Sequence, residues 1–325
     1  MLTEEQIIEK YKLSNKQVGE ILKTVIGVMA ADKVPSNNPL AMVVGGQSGA
    51  GKTALINYTS LMSSKRDFVV IDNDYFRAFH PCAAEIKALY PEFYTAATDQ
   101  IGLGITSEVI SHFMGNNEEN IKYDLIFHQT LKGNRIADDA IAKLKDCGYT
   151  VGVRAFAVPY LESKMSQIER TKAQYERMGF CRHVRKVDHD AAIAGLPNTI
   201  RYIEDNGKAD FVEVFKRSED IANPIRVYAK LNPETETQTL QTLSNCEHVC
   251  HEDFTNGFED GMDAVVQTRE SEAIKCAKTL GTRLETARAN GGYEIPGMAE
   301  HIDELTLAFE EFKLTHPQCE QFDNE

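Results

Sequence analysis

A glycine-rich stretch in the first fifth of the chain has the composition and spacing needed to hold a phosphate group. The stretch GGQSGAGKT, residues 45–53, fits the Walker A pattern without a mismatch. The apolar run before it and the helix formers after it favour this interpretation over a glycine-rich turn that binds nothing. Lys52 is expected to contact the β- and γ-phosphates of ATP, and the Thr53 hydroxyl to be a ligand of Mg²⁺. The expected ATP-binding residues are Gly46, Gln47, Ser48, Gly49, Ala50, Gly51, Lys52 and Thr53.

Two aspartates follow the next predicted strand, in the segment FVVIDNDYFRAFHP (residues 68–81). Acidic groups at the carboxyl end of a parallel strand lie beside the nucleotide crevice. A carboxylate there, with Asp74 the preferred candidate, can accept the proton of a substrate hydroxyl as that hydroxyl attacks the γ-phosphate. The alternative is that Asp72 or Asp74 caps the helix that follows, or that Asp72 supports Mg²⁺ through a water molecule.

Basic residues cluster in and after a later predicted helix. Arg170 lies within the helix, and further basic residues follow it: Arg177, Arg182, His183, Arg185 and Lys186. Arginines stabilise the negative charge that spreads over the equatorial oxygens during phosphoryl transfer, and a segment that carries them can close over the phosphates. A solvated, charged helix face is the alternative interpretation of such a run.

The elements that must position these residues alternate along the chain. Strands are predicted at 41–45, 67–72, 123–127, 149–158, 210–215 and 225–229. Helices are predicted at 3–12, 15–33, 134–146, 159–178 and 188–205, and over much of 82–114. The alternation predicts an α/β fold of the P-loop NTPase and kinase type, with a parallel sheet covered by helices on both faces. We divide the chain into N-terminal helices packed on the core (1–39), a core (40–230) and a helical C-terminal extension (231–325).

Composition narrows the classes of partner. The 325 residues carry a formal net charge of −14, which argues against broad attraction to nucleic acid or to an anionic membrane. No apolar run approaches the roughly 20 residues needed to cross a bilayer. The N-terminus, MLTEEQIIEKYK, is acidic and amphipathic rather than a secretory signal. With seven scattered cysteines, these features predict a cytoplasmic protein with free thiols.

Taken together, four features resemble the zeta toxins of toxin–antitoxin systems. They are GGQSGAGKT, VVIDNDYFRAFHP, AVPYLESKMSQIER, and Arg182 ahead of the pair His189-Asp190. The resemblance covers about residues 40–220. It implies a P-loop kinase that phosphorylates the 3″-hydroxyl of UDP-N-acetylglucosamine and so disturbs peptidoglycan synthesis. It also implies a small helical epsilon antitoxin that obstructs the nucleotide site.

The resemblance assigns roles to individual residues. It implies that Asp74 is the catalytic base, that Lys52 and Thr53 are the loop residues, and that Arg170 and Arg182 clamp the phosphates. The substrate-binding residues that it implies are Asn73, Asp74, His128, Thr130 and Lys132.

One motif departs from the family pattern. After the third strand, family members usually have Glu-Gly-Thr and an arginine shortly after, whereas this chain reads LIFHQTLK (residues 125–132). His128 replaces the glutamate, Gln129 the glycine and Lys132 the arginine, and only Thr130 matches. Since histidine and glutamate differ in charge and reach, we expect an altered or broader choice of UDP-sugar. A packed histidine at the strand end, without ligand contact, is the alternative.

Four other interpretations stay open at this point. The chain is alternatively a P-loop kinase of another hydroxyl, such as a polynucleotide 5′-end or a small antibiotic, or an ATP-binding regulator that transfers no phosphate. The segment Cys246–His251 contains cysteine and histidine, which are zinc ligands, but its spacing is not a common zinc-knuckle pattern, and a helix turn with buried thiols is the preferred interpretation. The C-terminal helices are expected to pack on the core, with an antitoxin contact as the alternative.

Overall fold

The structure is a computed structural model, and it describes residues 2–63, 66–179, 181, 183–243, 258–317 and 319. The strands are β1 (Leu40–Gly45), β2 (Val69–Ile71), β3 (Leu125–Gln129), β4 (Thr150–Phe156), β5 (Phe211–Lys216) and β6 (Ile225–Leu231). The helices are α1 (Glu4–Lys10), α2 (Asn15–Ala30), α3 (Lys52–Met62), α4 (Asn73–Phe76), α5 (Ala83–Leu89), α6 (Tyr94–Ala97), α7 (Asp99–Gly102), α8 (Thr106–Phe113), α9 (Ala142–Asp146), α10 (Tyr160–Met178), α11 (Lys186–Asp205), α12 (Glu236–Leu243), α13 (Gly261–Ala289) and α14 (Met298–Thr315). A π-helix at Ile136–Ile141 leads directly into α9.

The six strands form one sheet in the order β2-β3-β1-β4-β5-β6. All neighbouring pairs are parallel except β5 and β6, which are antiparallel at one edge. Alternate residues of β1 pack into two different apolar clusters, Ala41 and Val43 on one face and Met42 and Val44 on the other. Such continuous apolar runs are typical of parallel strands with helices on both faces. The predicted α/β fold class is therefore confirmed, with β6 as an antiparallel edge strand.

The carboxyl ends of the parallel strands meet at one edge of the sheet. Gly45, the last residue of β1, lies opposite Gln129 of β3 and Ala155 of β4, and Ile71 of β2 lies opposite Phe127. Residues that directly follow β1, β2 and β3 are consequently close in space although they are far apart in sequence.

The strand β3 begins and ends two residues later than predicted. Asp124, just before it, is buried, and its Oδ1 accepts hydrogen bonds from the Leu40 N–H (2.7 Å) and from the Arg66 guanidinium (2.8 Å). This carboxylate ties the entry of β3 to the start of β1, so the regular ladder starts only at Leu125. As a result His128 is the penultimate residue of β3, not part of the loop after it.

Helices α1 and α2 pack on the core, and both begin with a capping box. The Thr3 and Ser14 side chains accept from Gln6 N–H and Gln17 N–H respectively, so the predicted N-cap at Ser14 is confirmed. Ile7 of α1 is fully buried beside α5 and α6, while α2 contributes to the main apolar cluster.

The predicted helical region 82–114 resolves into four short helices, α5 to α8. The first of them ends at Leu89, directly before Tyr90-Pro91, because a residue that precedes proline is disfavoured in the helical conformation.

The C-terminal helices pack against α10 rather than standing away from the core. They share an apolar cluster with it: Leu161, Met165, Ile168, Leu280, Leu284, Ile302, Leu305 and Phe309. The start of α13 also reaches the main cluster through Ala264 and Val265. The three-part division of the chain remains a prediction, and the segment Cys246–His251 lies outside the described residues. No helix in the described part of the chain combines the length and apolar character needed to cross a bilayer.

Candidate active site

The phosphate loop joins the end of β1 to the start of α3, and two of its glycines adopt left-handed backbone conformations. Gly49 has φ +79° and Gly51 has φ +94°, a region in which other residues are strained. A Cβ on Gly49 would overlap the Ser163 carbonyl oxygen, so the backbone of α10 packs directly on the loop. The loop therefore needs glycine at position 49 for both conformation and space.

The Lys52 side chain lies inside the loop. Its Nζ donates to the carbonyl oxygens of Gly46 (2.7 Å) and Gln47 (3.1 Å). Burial lowers the pKa of Lys52 to about 8, and the charge of Arg170 acts in the same direction, while Asp72 and Asp74 raise it. A bound polyphosphate would raise this pKa again, because a nearby anion favours the charged ammonium.

The other loop residues are held from several sides. Gln47 is fully buried, and its Nε2 donates to the Val158 carbonyl at 2.6 Å. The Ser48 carbonyl accepts from Gln167 Nε2 at 2.9 Å. Thr53, by contrast, is exposed in the first turn of α3, so its hydroxyl is accessible to a ligand.

The two aspartates after β2 have different surroundings. Asp72 is the N-cap of α4, and its Oδ1 accepts from the Asp74 N–H at 2.9 Å. This is the capping role that the sequence offered as an alternative for Asp72 or Asp74. The same oxygen lies 3.7 Å from His128 Nδ1 on the neighbouring strand. The nearby His128 is the largest cause that lowers the pKa of Asp72. Asp72 and His128 therefore lie side by side at the carboxyl ends of the neighbouring strands β2 and β3.

The Asp74 carboxylate is half-exposed and is anchored by a buried arginine. Arg77 Nε lies 3.1 Å from Asp74 Oδ1, and the Arg77 side chain is only 5% exposed against 56% for Asp74. The other end of the guanidinium donates to the Thr95 carbonyl and to Asp99 Oδ1, both at 2.6 Å. Asp74 is therefore fixed in direction while remaining accessible to a substrate. Sequence reasoning did not assign a role to Arg77, although it lies in the DNDYFRAFHP segment.

Replacing Arg77 by methionine is expected to lower the free energy of unfolding by about 1–3 kcal/mol, since it leaves the Thr95 and Asp99 acceptors without their donor. Urea denaturation would measure the change. Arg135→Met is the control, because Arg135 also pairs with an aspartate but is 93% exposed, and such pairs contribute little. Equal effects of the two substitutions would contradict the anchoring role of Arg77.

Of the two arginines predicted to contact the phosphates, the structure describes only Arg170. Arg170 is exposed on α10, and its guanidinium lies 3.3 Å from the Ser48 hydroxyl at the phosphate loop. Arg182 lies outside the described residues. His189, from the His-Asp pair, is buried behind the loop, where its Nε2 contacts the Ser163 hydroxyl at 2.9 Å. Burial lowers the pKa of His189 to about 4, so this histidine is neutral at neutral pH.

The predicted substrate-binding residues surround the same sheet edge. Asn73 Oδ1 accepts from the Thr106 hydroxyl at 3.1 Å, Thr130 is exposed, and Lys132 Nζ lies 3.6 Å from Asp188 of α11. Between Thr130 and Lys132, Leu131 is buried with φ +52°, an uncommon conformation for leucine. A Cβ on Gly45 would overlap the Leu131 side chain, so this turn packs directly on β1.

A further arginine, which sequence reasoning missed, supports the phosphate loop. Arg217 follows β5 and donates to the carbonyl oxygens of Gly49 and Ala50, and to Glu162 at 2.5 Å. Glu162 in turn accepts from Arg283 of α13 at 2.7 Å. The available signal was a basic residue at the carboxyl end of a predicted parallel strand, the edge where ligands bind.

Comparisons of this chain with a family model and with known proteins agree on one family. The Zeta toxin family model matches residues 27–228. Toxin zeta of Enterococcus hirae is 26% identical over 181 residues, which are 55% of this chain and 61% of that protein. Toxin PezT of Streptococcus pneumoniae is 25% identical over 213 residues, which are 65% of this chain and 80% of that protein.

A solved structure has the same fold. It comes from the PezAT chromosomal toxin–antitoxin system of Streptococcus pneumoniae, with a TM-score of 0.56 and 19% identity over 82% of this chain and 97% of that one. This similarity shows the fold, while the family model covers well over half of the sequence and includes β1 to β5 with the phosphate loop. The chain accordingly belongs to the zeta toxin family.

Proposed function

We propose that this protein is a cytoplasmic toxin that acts as an ATP- and Mg²⁺-dependent kinase. It transfers the γ-phosphate to a hydroxyl of a UDP-activated sugar, with the 3″-hydroxyl of UDP-N-acetylglucosamine the first candidate, and so disturbs cell-wall precursor synthesis. The observation that carries the proposal is the accessible Asp74 carboxylate, which a buried arginine holds at the carboxyl end of β2, beside the phosphate loop.

Several features of the loop support the binding of a nucleoside triphosphate. Gly49 leaves no room for a side chain, and Gly51 has a left-handed backbone; such conformations allow the backbone N–H groups of a loop to face a phosphate. Lys52 lies within this loop and would contact the β- and γ-phosphates. Mg²⁺ in such sites takes few protein ligands and several phosphate oxygens and waters, so the accessible Thr53 hydroxyl fits the role of its protein ligand.

Asp74 would accept the proton of the attacking sugar hydroxyl. Its anchor, Arg77, is buried, whereas about half of the Asp74 side chain is exposed, so a substrate can reach the carboxylate. Because phosphoryl transfer involves little covalent chemistry from the protein, positioning and charge make most of the rate enhancement. Arg170, which already contacts the loop at Ser48, would neutralise charge on the equatorial oxygens, and Arg182 is proposed as its second partner.

The sugar would lie against the end of β3 and the turn after it. His128 Nδ1 lies 3.7 Å from the Asp72 carboxylate there, whereas a glutamate at the same position would be repelled by that carboxylate. We propose that Asn73, His128, Thr130 and Lys132 contact the sugar nucleotide, and that His128 broadens the choice of sugar.

An antitoxin is the proposed protein partner. The relatives are toxins, and one related structure is from a toxin–antitoxin system. A small helical antitoxin of the epsilon type would inhibit this chain by obstructing the nucleotide site.

Transfer of label from γ-labelled ATP to a panel of UDP-sugars tests the proposal. The panel contains UDP-N-acetylglucosamine, its galacto epimer and the two plain hexose forms, and Asp74→Asn is the inactive control. We expect labelled sugar nucleotide from the unsubstituted protein, with measurable transfer to more than one sugar. His128→Glu is expected to reduce transfer to the other sugars, so that UDP-N-acetylglucosamine becomes the preferred substrate.

Two results would contradict parts of the proposal. Strict preference of the unsubstituted protein for UDP-N-acetylglucosamine would rule out the broadening by His128. ATP hydrolysis without any labelled sugar would mean that another hydroxyl compound is the substrate.

A further inference from the structure

Arg269, in the long helix α13, connects the C-terminal part of the chain with the phosphate loop. Its NH2 donates to the side-chain oxygen of Gln47 at 3.1 Å, and its NH1 donates to the Ile193 carbonyl of α11 at 2.7 Å. Arg269 lies 41 residues beyond the end of the family match at residue 228 (269 − 228). The contact therefore joins the family core to a helix outside it.

A proline in α11 explains why the Ile193 carbonyl is available. Pro197 lies inside this helix and has no N–H, so the carbonyl four residues before it has no donor within the helix. Arg269 supplies the missing donor from outside. The planar guanidinium is thereby oriented, with one nitrogen on α11 and the other directed at the loop.

The partner in the loop, Gln47, is held at both ends of its carboxamide. Its nitrogen donates to the carbonyl of Val158, two residues beyond the end of β4, and its oxygen accepts from Arg269. The Gln47 backbone carbonyl accepts from Lys52 Nζ at 3.1 Å. Arg269, Gln47 and Lys52 consequently form one continuous set of contacts from α13 to the centre of the loop.

The charge of Arg269 is also suited to this position. Within the described residues its hydrogen-bond acceptors are two neutral oxygens, and its Nε is buried without a partner. Burial lowers the pKa of Arg269 to about 10, so the guanidinium is charged at neutral pH. A partly buried cation without a carboxylate partner is unfavourable on its own, and a phosphate anion in the adjacent loop would offset that cost.

We propose that Arg269 is a positioning residue for the phosphate loop and that α13 is thereby part of the nucleotide site. It fixes the Gln47 carboxamide, keeps the loop in its phosphate-binding conformation and adds positive potential behind it. This inference rests on the proposed function, because it concerns the same ATP site.

The test compares three variants of the full chain by calorimetric titration with ATP and Mg²⁺, and by thermal unfolding. Arg269→Met keeps the length of the side chain but removes charge and donors. Arg201→Met is the matched control, since Arg201 also joins α11 to α13, through Asp260, but is half-exposed and remote from the loop contacts. Pro197→Ala/Arg269→Met restores an N–H for the Ile193 carbonyl without restoring the contact with Gln47.

We expect Arg269→Met to weaken ATP binding about tenfold or more, the usual effect of leaving a buried acceptor unpaired, and Arg201→Met to change it less than about twofold. The double variant should regain thermal stability but not ATP affinity. Arg269→Lys, which keeps the charge, serves if the methionine variant does not fold, and should bind ATP with intermediate affinity.

Three results would overturn the inference. If Arg269→Met binds ATP as tightly as the unsubstituted protein does, the positioning role of Arg269 is rejected while the proposed function is unaffected. Recovery of affinity together with stability in the double variant would show that Arg269 acts only by completing α11. Absence of ATP binding by the unsubstituted protein would reject the proposed function as well.

Discussion

Replacing Asp74 by asparagine is expected to lower the rate of phosphate transfer by roughly 10²–10⁴-fold, the usual contribution of a general base. Asparagine has the same shape, and its side-chain oxygen can still accept from Arg77, so the local structure should persist. The amide cannot accept the proton of the attacking hydroxyl at neutral pH. ATP affinity should change little, because Asp74 lies beside the phosphate loop rather than in it. Transfer of label under single-turnover conditions measures the chemical step directly.

Asp99→Asn is the matched control for this substitution. Asp99 pairs with the same guanidinium, at 2.6 Å, and is similarly exposed, but it lies in α7 and not at the end of a sheet strand. Its loss is expected to have a much smaller effect on transfer than the loss of Asp74. Growth arrest in cells should follow the same order, and toxicity that survives Asp74→Asn would show that the kinase mechanism is wrong.

Gly49→Ala is expected to weaken ATP binding roughly 100-fold or more, by displacing the phosphate loop. The left-handed backbone costs a non-glycine residue about 1–2 kcal/mol, and the added methyl group overlaps the Ser163 carbonyl oxygen. This oxygen belongs to the backbone of α10 and has little freedom to move. We therefore expect a loss of about 2–4 kcal/mol in the free energy of unfolding, from strain and overpacking together.

Gly27→Ala provides the comparison for the effect of adding a methyl group alone. Gly27 lies inside α2, where a Cβ meets no atom within 4 Å. Alanine should raise the free energy of unfolding by about 0.5–1 kcal/mol there, because glycine is unfavourable within helices. Calorimetry with ATP would compare the ATP affinity of the two variants, and denaturant titration would compare their free energies of unfolding. Normal ATP binding by Gly49→Ala would contradict the close packing of α10 on the loop.

Local patterns predicted those parts of the site that depend on neighbours in sequence. The phosphate loop and the strand before it were recognisable because glycine spacing and an apolar run specify them within about ten residues. Asp72 and Asp74 were both candidates, and the structure distinguishes their surroundings: Asp72 caps α4, and Asp74 is accessible. Which of two neighbouring aspartates becomes the cap depends on backbone angles at the strand end, which composition does not specify.

Contacts between distant segments could not be predicted in this way. The pairing of His128 with Asp72 arises because β2 and β3 are neighbours in the sheet, although 56 residues separate the two side chains (128 − 72). Arg217 reaches the loop from β5, 167 residues from Ala50. Such pairs follow from the order of strands and the packing of helices, and a single sequence contains no local signal for either.

The link between Gln47 and Arg269 has a consequence for when the molecule becomes active. The two side chains are 222 residues apart in the chain, and synthesis proceeds from the N-terminus at about 5–20 residues per second. Roughly 10 to 45 seconds therefore pass between synthesis of the loop and synthesis of the helix that holds it. Over the last 41 residues of that interval (269 − 228), about 2 to 8 seconds, the nascent chain has all of the family core but lacks this contact of its nucleotide site. We therefore expect the nucleotide site to reach its full ATP affinity only after the finished family core has been extended by this helix.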